Sequence, residues 1–161
     1  MKLNKILKNA FLIIVASLAL SACATSKKTT GQMQGDVYTG TDTVEYLASG
    51  VKDRVFFATN ESVLTTASRE TLRKQATFLR KNKKLNVTVE GHADERGTRE
   101  YNMSLSAKRA DIAISYLESL GVAGDRVETV PYGKERPVAA CSSEACWSQN
   151  RRAVSVVITE E

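Results

Sequence analysis

Of histidine and of tryptophan the chain has one each, His92 and Trp147, and of proline two. A zinc centre draws three or four convergent ligands, usually several His or Cys, which a lone histidine does not supply. Cysteine is sparse as well: Cys23, Cys141 and Cys146 are the three, and no C-x-x-C redox pair occurs. No G-x-S-x-G elbow is present either, so that serine nucleophile is excluded. The apolar run Ala10 to Leu20 is about eleven residues, too short to cross a bilayer of about 30 Å as a helix. Aromatic residues make up 6% of the chain, and a nucleic-acid reader would want a basic stripe with stacking aromatics. The densest positive run, Arg80 to Lys84, reads as a solvated helix end where cations complement the dipole. What is present is enough for a core: 42% of 161 residues are hydrophobic, which suits one modest domain with appendages. There are no internal repeats.

The first stretch is an export signal. Lys2, Lys5 and Lys8 precede the apolar run, and Leu20-Ser21-Ala22-Cys23 follows it. That ending resembles a bacterial lipobox, which implies cleavage after residue 22 and acylation of Cys23, several chains holding firmly where one anchors marginally. Ala24 in the next position implies, by the same resemblance, the outer membrane. Removal of three lysines lowers the formal charge from +5 to about +2, so the mature chain is less basic than its pI suggests. Residues 24–42 are rich in Ser, Thr, Gly, Lys and Gln, cannot repay their ordering entropy, and read as a tether reaching about 60 to 70 Å when extended.

Periodicity places the folded elements between 44 and 161. Val55-Phe56-Phe57 suits a buried strand, followed by a loop from Asn60 to Leu64. Thr65 or Thr66 caps a helix to about Asn82, with Leu72, Ala76 and Leu79 on one face. Leu85 to Glu90 alternates without exception and predicts a strand whose polar set faces away from the core. A second helix opens near Thr98, carries Ala110, Ala113, Leu117 and Leu120 as its apolar stripe, and closes at Gly121. Residues 126–130 read as a strand cut short by Pro131, 144–151 as a short helix, and 153–159 as a last strand. The order βαβαββ predicts an α+β, two-layer α/β sandwich with helices on one face of a mixed sheet.

In an oxidising compartment Cys141 and Cys146 read as a disulfide. Two residues five apart in one helix lie about 8 to 9 Å apart, too far to bridge, so a turn must separate them and the short helix should begin near Glu144.

The segment GHADERGTREYN, 91–102, concentrates the chemistry. As an enzyme it would use His92, Asp94 and Glu95, but adjacent residues on an extended segment point to opposite sides, so Asp94 and Glu95 make a poor acid and base. As a binding site it is better built. Asn102 and Arg109 are seven apart in a helix and share a face to within about 20°. With Asp94 at the loop before that helix, a carboxylate, an amide and a guanidinium would converge on one groove and suit a ligand bearing an ammonium and a carboxylate. On the residues alone this stands beside a plainer reading, a loop-to-helix junction with Arg109 in a structural ion pair.

VFFATN (55–60), VTVEGHADERGT (87–98), YNMSLSAKRA (101–110), YGKERP (132–137) and QNRRAVSVVI (149–158) together resemble the OmpA-like domain family. The likeness runs over roughly 45–161, and the lipobox with its tether resembles the lipid-anchored members. It implies residues 1–22 as lipoprotein signal, 23–43 as acylated Cys and tether, and 44–161 as a domain that holds peptidoglycan non-covalently, without a cofactor. By position, Asp94 would take the ammonium of the diaminopimelate in a stem peptide and Arg109 its carboxylate. Asn102 and Asn60 would border the pocket, and His92 would hydrogen-bond within the loop to fix the turn. Arg151 and Arg152 belong to the signature, with packing of the last strand and pairing of acids as their expected role. The implied partners are the stem peptide, the outer membrane through the lipid, and a TolB-like periplasmic protein of the Tol-Pal envelope and cell-division system, with no nucleic acid. The alternative is a cell-wall hydrolase using Asp94 or Glu95. The chain departs from the pattern at Thr59-Asn60, where many relatives show Phe-Asp, and in its Cys141/Cys146 pair.

Overall fold

The computed structural model describes residues 46–48 and 50–159. The signal segment, Cys23, the tether and the start of the domain at 44 lie outside the described residues. In chain order the elements are β1 Tyr46–Ala48, β2 Val51–Lys52, β3 Arg54–Phe56, α1 Thr66–Lys81, β4 Leu85–Gly91, α2 Arg99–Ser119, a 3-10 turn Gly124–Arg126, β5 Val127–Pro131, α3 Glu144–Asn150 and β6 Arg152–Thr159. The α+β class and the βαβαββ order expected above are both found.

Strands β3, β6, β4 and β5 form one mixed sheet in that spatial order. β6 runs antiparallel to both β3 and β4, while β4 and β5 are parallel and joined through α2. Parallel neighbours need a long crossover, which α2 supplies. The short hairpin of β1 and β2, not anticipated from the sequence, precedes the sheet. β5 runs one residue further than expected: Pro131 pairs opposite Gly91 at its last position, where the missing N–H is tolerated.

The two long helices each begin at a threonine. Thr65 accepts the Ser68 N–H at 3.1 Å and Thr98 the Tyr101 N–H at 3.2 Å, satisfying donors that a helix start leaves free. α1 buries Leu72, Ala76 and Leu79 at the predicted spacing, and α2 buries Ala110, Ala113 and Leu117. α2 stops where Gly121 adopts φ +87°: its N–H bonds the Glu118 carbonyl at 2.8 Å and the Val122 N–H bonds the Leu117 carbonyl at 3.2 Å. This is a Schellman closure, which favours glycine because other residues strain at that φ. At the end of α1, Arg126 donates to the carbonyls of Leu79 at 3.2 Å and Asn82 at 2.9 Å, placing a cation at the negative pole of the helix.

The helices and sheet close on Val55, Phe57, Val87, Val89 and Ala153 together with the helical stripes. Polar bonds also cross this layer: Gln75 donates to the Lys52 carbonyl and accepts from the Ser155 hydroxyl, both at 2.8 Å, and the Ser68 hydroxyl donates to the Phe56 carbonyl at 3.1 Å. The far side of β4 departs from expectation. Asn86 and Thr88 are half-buried, and Glu90 is buried beside His92, on whose ring Tyr132 stacks with Arg136 over it at 3.7 Å.

Candidate functional site

The site grows out of the end of β4. There α2 passes so close that a Cβ on Gly91 would sit 1.9 Å from the Ser106 carbonyl oxygen, so only glycine fits. Beyond it the main chain is pinned on three sides. His92 donates to the Arg152 carbonyl at 2.9 Å, Ala93 donates to the Gly133 carbonyl at 2.7 Å, and Gly133 in turn donates to the Ser106 hydroxyl at 2.9 Å. Asp94 thus leaves a rigid platform with its carboxylate buried at the rim.

Two arginines hold that carboxylate. Arg96 contributes its N–H and its Nε to Oδ1, each at 3.1 Å, and its Nη2 to Oδ2 at 2.7 Å. Arg151 adds Nη1 at 3.4 Å. Burial alone would raise the Asp94 carboxyl, but the side-chain and backbone bonds from Arg96 outweigh it and keep it below the usual range. Asn102 reaches the same residue from α2, its Nδ2 donating to the Arg96 carbonyl at 2.9 Å. Asp94 and Asn102 therefore do converge, and what they converge on is Arg96.

A second ring of side chains steadies the first. Arg96 lies over the Trp147 ring at 4.1 Å, and Trp147 donates to Glu95 Oε1 at 3.1 Å. Arg151 donates through Nε to the Phe57 carbonyl at 3.1 Å and through both terminal nitrogens to Glu144. Glu144 opens α3 between the two cysteines, which form the expected disulfide with a Cα separation of 5.6 Å.

Arg109 is on the expected face of α2, but not open in a groove. Its side chain is fully buried, and Nε, Nη1 and Nη2 donate to the carbonyls of Glu61 at 2.9 Å, His92 at 2.9 Å and Ala58 at 3.1 Å. Burial lowers its pKa to about 10, partly offset by Asp94, so it stays charged at neutral pH. The turn it supports carries Asn60, exposed and at φ +56°, a conformation asparagine tolerates better than most residues.

The hydrogen bonds expected of the His92 ring are made by its main chain instead. The ring is fully buried, stacks on Tyr132 at 5.5 Å, and lies 3.6 Å from Glu90 Oε2. Alternation explains this, since His92 continues the face of β4 that carries Glu90. Of the expected residues, Asp94, Asn102, Arg109 and Arg151 meet in one region. Arg152 points elsewhere, to the carbonyls of Asn150 and Arg136. Arg96, Glu144 and Trp147 were not foreseen as part of the site. An aspartate two residues before a backbone N–H it can accept is the turn signal that marks Arg96; Trp147 and Glu144 come from 50 residues away and leave no local trace.

Among the described residues no group of three or more His, Cys, Asp and Glu is placed to hold a metal ion. The OmpA family model matches residues 56–152. The chain is 45% identical over 149 residues to the peptidoglycan-associated lipoprotein of Mesorhizobium japonicum, covering 89% of this chain and 88% of that one. It is 43% identical over 161 residues to the protein of the same name from Rhizobium meliloti, with 97% and 92% covered. Among solved structures, the peptidoglycan-associated lipoprotein from Burkholderia pseudomallei superposes with a TM-score of 0.65 at 37% identity, covering 66% of this chain and 91% of that one. The C-terminal domain of Helicobacter pylori MotB superposes at 0.63 with 21% identity, over 67% and 85%, a likeness of fold alone.

Proposed function

The chain belongs to the OmpA family, among the peptidoglycan-associated lipoproteins, and from that premise we propose that it moors the outer membrane to peptidoglycan by gripping the diaminopimelate of stem peptides without altering it. Acyl chains on Cys23 hold one end and the folded domain holds the other. Individual grips can be weak, because tethering keeps many identical stem peptides at high effective concentration.

The observation that carries the reading is the pairing at the start of α2: Asp94 at the rim, Arg109 charged beneath the neighbouring turn, and Asn102 bonded to the loop that follows Asp94. Asp94 supplies an acceptor for the side-chain ammonium and Arg109 a fork of donors for the carboxylate, while Asn60 and His92 border and support the pocket. Selectivity follows from Arg109, since a lysine-type peptide lacks the terminal carboxylate and would bring no anion to that buried guanidinium.

A hydrolase using Asp94 or Glu95 is less well supported. Such chemistry wants one carboxyl raised so that it donates a proton. Bonds from Ser142 and Trp147 lower Glu95, and arginine bonds hold Asp94 down. The family also motivates a TolB-like periplasmic partner, for which co-purification from intact envelopes is the test. For the wall, the test is retention on purified sacculi. Wild type should be retained without releasing sugar or peptide fragments, and Asp94→Asn should be lost to the supernatant; release of fragments would favour the hydrolase.

A further inference from the structure

On the reading above, Asp94 receives an ammonium group, yet its carboxylate has no acceptor position free. A carboxylate offers about four lone-pair sites. Oδ1 accepts the N–H and Nε of Arg96, and Oδ2 accepts Nη2 of Arg96 and Nη1 of Arg151. An arriving cation must evict one of these donors. Arg151 is held by Glu144 and the Phe57 carbonyl, and its side chain is 6% exposed. The N–H of Arg96 is fixed in a turn whose carbonyl Asn102 holds. The side chain of Arg96 is the loose member: it is 39% exposed, and it has the Trp147 ring, Glu144 and Glu95 near enough to keep its charge stabilised once it lets go.

The same side chain reaches the second anchor. Arg96 Nη2 also donates to Thr59 Oγ1 at 3.3 Å. Thr59 lies in the turn whose Ala58 and Glu61 carbonyls cover the guanidinium of Arg109, and the turn's own closing bond, Glu61 N–H to Ala58 O, is a long 3.3 Å. One exposed side chain therefore ties the anion of the site to the roof over its cation.

We infer that the Arg96 side chain is a displaceable strap, standing on Asp94 in place of the ligand's ammonium and, through Thr59, holding the 58–61 turn closed over Arg109. The ligand's ammonium displaces it, the turn is released, and Arg109 becomes available to the ligand's carboxylate. The two ends of the zwitterion are recognised in that order. A ligand with an ammonium but no carboxylate expels the strap and gains nothing at Arg109 in return. The ligand's identity rests on the proposed function, whereas the strap is a property of the free domain.

Two measurements on Arg96→Gln separate these. In the free protein, amide hydrogen exchange of residues 58–61 should quicken relative to wild type while β4 stays protected; unchanged exchange would overturn the strap. With L-Ala-γ-D-Glu-meso-diaminopimelate as probe, calorimetry should show the variant binding about two- to fivefold tighter, the range of an exposed ion pair. Emission from Trp147, the chain's one tryptophan, should shift on binding in wild type and little in the variant. Equal or weaker binding by the variant means that Arg96 ignores or contacts the ligand, and refutes the inference. If neither protein binds the tripeptide, the diaminopimelate reading falls, and the exchange rates still decide the strap.

Discussion

The guanidinium of Arg109 donates to the main-chain carbonyl of His92 at 2.9 Å, so the helix that begins the site is bonded to the loop that carries Asp94. With its bonds to Ala58 and Glu61, one side chain joins three segments far apart in sequence. The bonds to Ala58 and Glu61 cover its charge and the bond to His92 holds the site together, so opening the 58–61 turn to a ligand is coupled to local stability.

Replacing Arg109 by Ala removes the shared donor of three carbonyls, and each buried group left unpaired costs about 1 to 3 kcal/mol. A loss of about 3 kcal/mol or more in urea unfolding is expected. Arg109→Lys keeps the charge but not the forked geometry, so it should be less destabilised yet still bind diaminopimelate peptide more weakly than wild type. Binding by the lysine variant equal to wild type would mean that charge alone suffices.

Gly91→Ala tests the contact that sets the site's backbone. The new methyl would meet the Ser106 carbonyl at 1.9 Å, main chain against main chain, with no flexible side chain to yield. Overpacking of a core costs about 1 to 3 kcal/mol, and this contact belongs at the upper end. The shift should appear as displaced amide resonances in α2 around Ser106, with those of α1 near their original positions.

Much of the fold was legible because it is written in local period and punctuation. Val87 and Val89 alternate, Leu72, Ala76 and Leu79 return every turn, and Gly121 ends α2 where its backbone requires it. The site was half legible. Spacing put Asp94, Asn102 and Arg109 together, but not the depth of Arg109. A signal for depth was available: Arg109, Ala113 and Leu117 fall at i, i+4 and i+8, on the buried stripe itself. The burial of the His92 ring leaves no such signal, since the cover over its face comes from Tyr132, on a segment whose path no local pattern predicts. Arg96 follows from a turn, whereas its stacking on Trp147 depends on how α3 docks.

The disulfide should brace that docking. Closing so short a loop contributes about 2 kcal/mol in the chain-entropy model, and Cys141→Ser with Cys146→Ser should lower stability by up to that amount without unfolding the domain. Glu144 lies within the closed loop and holds Arg151, so retention on sacculi should fall too, though less than for Asp94→Asn, because Arg151 keeps its bond to the Phe57 carbonyl. Thiol titration of unreduced exported protein should find neither of these two cysteines free.

His92 sets an acid limit on the fold. Burial lowers its pKa from 6.5 to about 4, with Glu90 opposing the shift and Arg152 and Arg136 adding to it. Between these values the unfolded chain binds a proton that the folded chain refuses, so stability rises with pH there. The contribution is fully present above about pH 6.5, declines as pH falls, and is gone below about 4, amounting to at most about 3 kcal/mol. Urea midpoints measured from pH 7 to pH 4 should fall in wild type. In His92→Gln, which cannot take up the proton, they should fall less over the same interval, even if that variant starts lower for want of the stack on Tyr132. Carboxylates held below their usual range by arginine, such as Asp94 and Glu144, begin to lose their stabilisation only below about pH 5, so the interval from pH 6.5 to 5 isolates the imidazole. Parallel slopes in the two proteins would show that the ring is hydrated in solution and that its burial against Glu90 and Tyr132 is not maintained.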